Sequence, residues 1–236
     1  MRAKLLLVAF LLGGCMAPPA PAPPPAAATA TPARLDAATA ARNFAEVVAR
    51  VEPVAERECR ARAPRLNCDF LIVVDDRPGV GPNAFQTVDR SGRPVLGFTL
   101  ALIADARNQD ELAFILGHEA AHHIKGHLPR TRQTALAGAL ILGALAAAGG
   151  ADTGGVRAAQ DIGATVGART FSREFELEAD RLGAVIAFRA GHDPERGAAY
   201  FSRIPDPGNR FLGTHPPNAQ RIEVVRAEVA RLRAGG

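Results

Sequence analysis

The chain has 236 residues, 28 Lys and Arg against 24 Asp and Glu, a formal charge of +4, one Tyr and no Trp. Arginines and acids interleave without a basic block, so there is no nucleic-acid footprint, and the length suits one domain with a substantial core. The near absence of Tyr and Trp, with abundant Ala, Leu, Val and Gly, predicts a mostly helical, aliphatic core.

Residues 1–14 read as a leader to be set apart from the fold: Met1-Arg2-Ala3-Lys4 is the positive region and Leu5 to Leu12 the short apolar one. Removing it takes away Arg2 and Lys4 and leaves a formal charge of +2. Leu12-Gly13-Gly14-Cys15 is similar to a bacterial lipobox, which implies cleavage before Cys15 and lipidation of that residue. Met16 rather than Asp follows, and by resemblance to the Gram-negative sorting rule this implies the outer membrane, facing the periplasm. Acyl chains rather than a spanning helix would hold the chain there. A plain signal peptide, or a buried cysteine, is the alternative. Residues 15–35 form a tether in which Ala17 to Pro32 is almost all Ala and Pro, a semi-rigid spacer. The domain then occupies 36–236.

A helix beginning near Asp36 is expected to be interrupted by Pro53 and to end at Cys59, and Cys68 opens an apolar strand, Phe70-Leu71-Ile72-Val73-Val74. A Cys59–Cys68 disulfide fits an oxidising compartment and would contribute somewhat under about 3 kcal/mol. Two small buried thiols are the alternative; neither cysteine has a ligand-spaced neighbour for a Cys-His metal site. Phe85 to Val88 and Pro94 to Leu100 alternate around Ser91-Gly92 as a hairpin. An edge strand can hold an extended chain by strand addition, and the sequence does not say which strand is the edge.

Asn108, with Glu111 three residues on, predicts a capped helix start, and Leu112, Ile115, Leu116 and Ala120 give it a buried stripe. On that helix stands His118-Glu119-Ala120-Ala121-His122. Residues four apart lie one above the other on a helix, so His118 and His122 can aim ring nitrogens at one metal ion. Glu119 is turned about 100° from His118. There its carboxylate can take a proton from water at the metal rather than bind the metal. Lys125, Gly126, His127 and Pro129 signal the helix end. His123 and His127, about 100° and about 140° off the face of His122, and His192 before Asp193-Pro194 are assigned ordinary surface roles.

Ala135 to Ala148 is an apolar run short of the roughly 20 residues that cross a bilayer, so a buried or membrane-touching helix is expected. A mobile flap over the cleft and a hairpin packed on the core are both open. Ser172 to Gly183 reads as a second helix crowded with acids. Glu176 and Asp180 share one of its faces, continued by Gly183 and Ala187, whose small size would let it approach the histidine helix closely. Glu176 could then be the third metal ligand, with Asp180 accepting from a ligand histidine's other ring nitrogen. Glu174 and Glu178 are turned off that face, and Glu178 is left as a surface or inter-element ion-pair partner.

These stretches, with Thr214-His215-Pro216-Pro217 followed by Arg221-Ile222, resemble metallopeptidase family forty-eight, which contains HtpX-like membrane proteases, CAAX prenyl endopeptidases and periplasmic lipoprotein relatives. The match spans roughly residues 40 to 230. It implies an α+β, mostly helical, zincin-like metalloprotease domain with a small β-sheet beside the histidine helix. It also implies one Zn²⁺ on His118, His122 and Glu176, with Asp180 behind them and His215 at the cleft rim as a further catalytic residue. The Asp89-Arg90-Ser91-Gly92 turn after Asn83-Ala84-Phe85 departs from the family's Gly-rich strand.

The resulting expectation is a zinc endopeptidase of the bacterial envelope acting on misfolded or stalled envelope polypeptides, with Glu119 as general base. A periplasmic chaperone or assembly factor with a non-hydrolytic or closed zinc site is the alternative from another class, and a zinc amidase acting on cell-wall peptides is a second enzymatic one. The sequence does not give the oligomeric state.

Overall fold

Asp36 starts α1 (Ala37–Arg62) by accepting from the Thr39 amide at 2.9 Å. The computed structural model describes residues 35–170, 172–208 and 215–235; the leader, Cys15, nearly all of the tether and Thr214 lie outside the described residues. Pro53 does not interrupt α1, contrary to the sequence reading. Proline removes one amide donor, but Val47, Val51, Val54, Ala55 and Cys59 of this helix are all buried, and that packing carries the helix through. Cys59 is joined to Cys68 by a disulfide with Cα atoms 5.7 Å apart, which ties the end of α1 to the segment leading into the sheet.

The sheet has three strands, β1 (Leu71–Asp75), β2 (Ala84–Val88) and β3 (Pro94–Thr99), in the order β1-β3-β2. β1 runs parallel to β3 with Leu71 opposite Val95, and β2 runs antiparallel with Val88 opposite Pro94. The Asp89 carboxylate shapes the hairpin turn by accepting from the Ser91 and Arg93 amides at 2.8 and 2.9 Å, and Gly92 takes the left-handed φ of 84° that the turn requires. β3, the central strand, is buried at every position. It stops at Thr99, one residue short of the expected Leu100. The Thr99 hydroxyl accepts from the Leu102 amide at 3.1 Å and caps α2 (Leu100–Asp105).

Asn108 caps α3 (Gln109–Ile124), accepting from the Glu111 amide at 3.0 Å, while Glu111 reaches back to the Arg107 amide at 2.9 Å. Leu112, Leu116, Ala120 and Ala121 of α3 pack with Val47, Val51, Leu96 and Phe98 in the principal core. α6 (Ser172–Arg189) lies across α3, followed by α7 (Pro194–Ala198), a 3₁₀ turn over Ala199–Ser202 and α8 (Asn218–Ala234). Phe114, Ala184, Ala198, Phe201, Val225 and Val229 form a second core between these elements.

Between α3 and α6 the chain makes α4 (His127–Ala148) and α5 (Thr153–Thr170), which pack on each other. A Cβ built on Gly138 would lie 2.1 Å from the Gly163 carbonyl oxygen, and one on Gly167 would lie 2.0 Å from that of Thr134, so only glycine permits this approach. The expectation of a buried helix, or of a hairpin packed on the core, is therefore corrected. Among the described residues of α4 only His127 and Gly143 are buried, and Leu136, Leu140, Ile141 and Leu145 are each at least 60% exposed. Counted from His127, α4 is also long and apolar enough to cross a membrane by length and composition.

α3 and α6 meet backbone to backbone. A Cβ on Gly183 would lie 2.8 Å from the His118 amide nitrogen, and one on Gly117 would lie 2.8 Å from the Gly183 carbonyl oxygen. Gly183→Ala must push the helices apart, at a cost of about 1–3 kcal/mol by overpacking. Its thermal unfolding midpoint is expected below that of the parent, and an unchanged midpoint would show that the crossing yields freely.

Candidate metal centre

Three elements converge on one point. His118 comes from the middle of α3 and His122 from its last turn; Glu176 comes from α6; and Arg221 comes from α8, whose first turn is pinned where the Asn218 side-chain Nδ2 donates to the Phe201 carbonyl at 2.8 Å. The Nε2 atoms of His118 and His122 are 3.0 Å apart, and the Glu176 carboxylate lies 3.6 Å from the first and 3.4 Å from the second. One donor atom from each of these residues falls within 4.8 Å of the others. Glu119 is buried beside them, and His215 stands half-exposed at the rim with its Nδ1 3.2 Å from Glu176.

The other ring nitrogen of each ligand-facing histidine is also engaged. His118 Nδ1 lies 3.0 Å from Asp180 Oδ1, and Asp180 is fully buried. His122 Nδ1 lies 2.8 Å from His127 Nδ1. Asp180 is balanced by Arg221, whose Nε and Nη2 donate to its two oxygens at 2.8 and 2.7 Å, the two-pronged match of guanidinium to carboxylate. Arg221 also comes within 3.3 Å of Glu176, and its guanidinium lies 3.8 Å from the centre of the Phe201 ring. Sequence reasoning gave Arg221 no role, although it stands in the stretch after His-Pro-Pro that carried the family resemblance.

Electrostatics separates the groups sharply. Burial disfavours charge on His118, yet the hydrogen bonds and charges of Asp180 and Glu176 outweigh it and raise its pKa to about 10. Burial pushes Glu119 up to about 7. His122 is driven down to about 3 by burial and then by the charge on His118. Glu176 stays well below the usual carboxylate range, because the bonds from His118 and His215 and the charge of Arg221 override its burial. Glu176 and Asp180 thus face two positive partners, Arg221 and a His118 that favours its charged form. A His₂Glu donor set with both outer nitrogens engaged is the set that suits a zinc ion with an open fourth position.

The cluster opens into a cleft of about 600 Å³ whose walls include Leu102, Phe114, Ile115, Tyr200, Phe201 and Ile204. Asn83 and Ala84, at the start of β2, line the same cleft. Among the described residues no strand pairs with the outer edge of β2, so β2 is the edge strand that the sequence left unassigned.

The three histidines assigned surface roles are corrected. His127 is buried with its Nε2 3.2 Å from Glu178, and His192 is buried with its Nδ1 3.1 Å from Asp110 at the start of α3. His123 is partly buried, with Nε2 2.8 Å from the Asn67 carbonyl oxygen. Glu178 pairs with Arg130 at 3.2 Å as well as with His127, which makes it an inter-element partner.

Removing Arg221 strands a fully buried carboxylate. Arg221→Met is expected to cost roughly 3–5 kcal/mol in urea unfolding, the range for breaking one side of a buried pair. A loss under about 1 kcal/mol, the value of a solvated pair, would mean that water reaches Asp180.

A family model described as "Peptidase family M48" matches residues 41–229. The chain is 27% identical over 146 residues to the beta-barrel assembly-enhancing protease of Escherichia coli (strain K12), which covers 56% of this chain and 30% of that protein. It is 29% identical over 190 residues to the beta-barrel assembly-enhancing protease of Yersinia pestis, covering 73% and 37%. A protease HtpX homolog of Desulfatibacillum aliphaticivorans is 31% identical over 199 residues, covering 67% and 63%. Each match thus spans less than two thirds of the relative's own length.

Proposed function

The chain belongs to peptidase family M48 and carries that family's zincin-like metalloprotease domain, and from this we propose that it is a zinc-dependent endopeptidase of the bacterial cell envelope. The observation that carries the reading is the convergence of His118, His122 and Glu176 on one point beside a buried Glu119, at the floor of an apolar cleft. His118, His122 and Glu176 would hold one Zn²⁺. Bound there, zinc would lower the pKa of water toward neutrality and polarise a peptide carbonyl.

The remaining work falls to protein groups. Glu119, raised to about 7 by burial, accepts the proton of the attacking water and returns it to the leaving amine. His215, on the rim, is placed to donate to the developing oxyanion. Asp180 and Arg221 hold His118 in place. The free edge of β2 can align an extended substrate backbone, with apolar side chains directed into the cleft. We assign misfolded or stalled envelope proteins as substrates, in keeping with the names of the assembly-enhancing relatives.

Residues 1–14 as leader, a lipidated Cys15 and an Ala/Pro tether to residue 35 would place the domain, residues 36–236, on the outer membrane facing the periplasm. The Cys59–Cys68 disulfide supports an oxidising compartment, and the exposed apolar face of α4 suits a surface close to lipid.

Glu119→Gln is nearly isosteric but cannot take up a proton, so it should retain zinc and lose casein hydrolysis, whereas Glu176→Gln should lose both. Zinc content and proteolysis measured on the same samples decide this; wild-type turnover in Glu119→Gln removes it as general base. Proteolysis that chelation abolishes separates the peptidase from a chaperone, and cleavage of muropeptides but not casein would indicate the amidase. Cys15→Ser should yield soluble protein or unprocessed precursor on cell fractionation. An unchanged, acylated membrane form of Cys15→Ser would disprove the anchor.

A further inference from the structure

His122 has a partner that its neighbour in the cluster does not. His118 donates directly to a carboxylate, Asp180, at 3.0 Å. His122 instead faces a second imidazole, His127 Nδ1, at 2.8 Å, and only beyond that ring comes a carboxylate, Glu178, 3.2 Å from His127 Nε2. Two facing ring nitrogens cannot both carry a proton, and they cannot both lack one and still form a hydrogen bond.

The chemistry of the cluster chooses between the two remaining arrangements. For His122 to offer the lone pair of Nε2 to a metal, its proton must reside on Nδ1. The Nδ1–H then donates to His127 Nδ1, which must be bare, so the proton of His127 sits on Nε2 and donates to Glu178. Every donor meets an acceptor in this arrangement, and in the reverse one Nε2 of His122 is blocked by a proton and Glu178 faces an imidazole lone pair. We propose that His127 and Glu178 are positioning residues that hold His122, through a relay of two hydrogen bonds, in the tautomer and orientation that bind the metal.

The surroundings fix the relay as well as its ends. His127 is buried, and its ring stacks on Phe175 with centroids 4.5 Å apart and planes 7° from parallel. Arg130, one turn further along α4, lies 4.2 Å from the centre of the same Phe175 ring and donates to the same Glu178 oxygen at 3.2 Å. The relay thus takes one member from α3, one from α4 and one from α6. Phe175 and Glu178 flank Glu176 in sequence, so α6 delivers both the third candidate ligand and the outer support of the second.

The inference rests on the zinc reading above, and the test separates the two. The full-length chain is compared as wild type, His127→Phe, Glu178→Leu and Glu178→Gln for zinc affinity by chelator competition, for the unfolding midpoint of the metal-free form, and for histidine tautomers by long-range ¹⁵N–¹H NMR of the zinc-loaded form. His127→Phe keeps a ring for Phe175 to stack on but loses the acceptor, and should weaken zinc by about 10–100-fold, the usual effect of removing a ligand's outer partner. Glu178→Leu should weaken zinc by a smaller factor, and Glu178→Gln, whose amide oxygen still accepts, should recover most of that loss. The wild-type spectrum should show His127 protonated on Nε2 and bare on Nδ1.

Equal zinc affinity in the wild type, His127→Phe and Glu178→Leu, or a proton on His127 Nδ1, overturns the relay and leaves the zinc reading standing. Absence of zinc binding by the wild type overturns both. Should His127→Phe fail to fold, the wild-type tautomer and the Glu178 pair still decide.

Discussion

The site depends on the crossing of α3 and α6 at Gly117 and Gly183. Packed helices ordinarily keep their axes 8–10 Å apart because side chains fill the space between them. Here two glycines meet and a Cβ on either would strike the opposite backbone, so the helices touch main chain to main chain. His118 directly follows Gly117, and Glu176 and Asp180 precede Gly183 by seven and three residues, about two turns and one turn of the same face. The close crossing lets a short carboxylate side chain from α6 reach both imidazoles of α3. With wider spacing the same residues would be two charged helix faces separated by water.

The second constraint is the cost of burying so many ionisable groups. Asp180 is fully buried and Glu176 nearly so, an arrangement that is unfavourable unless each charge meets a partner. Arg221 supplies one positive charge to both, and His118, which favours its charged form beside them, supplies another. Because α8 delivers Arg221, the C-terminal helix is part of the site, and this accounts for the second core of Phe114, Phe201, Val225 and Val229 that seats α8 against α3. The site therefore draws on helices separated by some 100 residues of sequence, held by packing rather than by local propensity.

The parts legible in the sequence were those set by local rules. The Asn108 cap, the i and i+4 histidines, the shared face of Glu176 and Asp180, the small Gly183 and the Asp89 turn all follow from helix period and side-chain chemistry within a few residues. Pro53 was misread because a local penalty was allowed to outweigh the core packing of the residues around it. Arg221 remained without a role because its partners lie on α6 and α3, a long-range fact no window contains. The error over His127 is more instructive. Its angle of about 140° from His122 holds only if one helix continues. The chain turns at Gly126, whose φ of 66° ends α3, and a new helix begins at His127, so the angle describes a geometry that never forms.

That turn also decides what α4 is for the site. Its first residue is buried against His122 and its fourth, Arg130, grips Glu178 and Phe175, whereas from Leu136 onward it presents leucine and isoleucine outward. The helix runs for 22 residues, with its first residue against the candidate metal centre and a long exposed apolar flank beyond. α5 packs on it through close glycine contacts, and among the described residues few bind the pair to the rest of the domain. One helix thus links the buried cluster to the exposed hairpin, and the hydrogen bond between His122 and His127 is where the two meet.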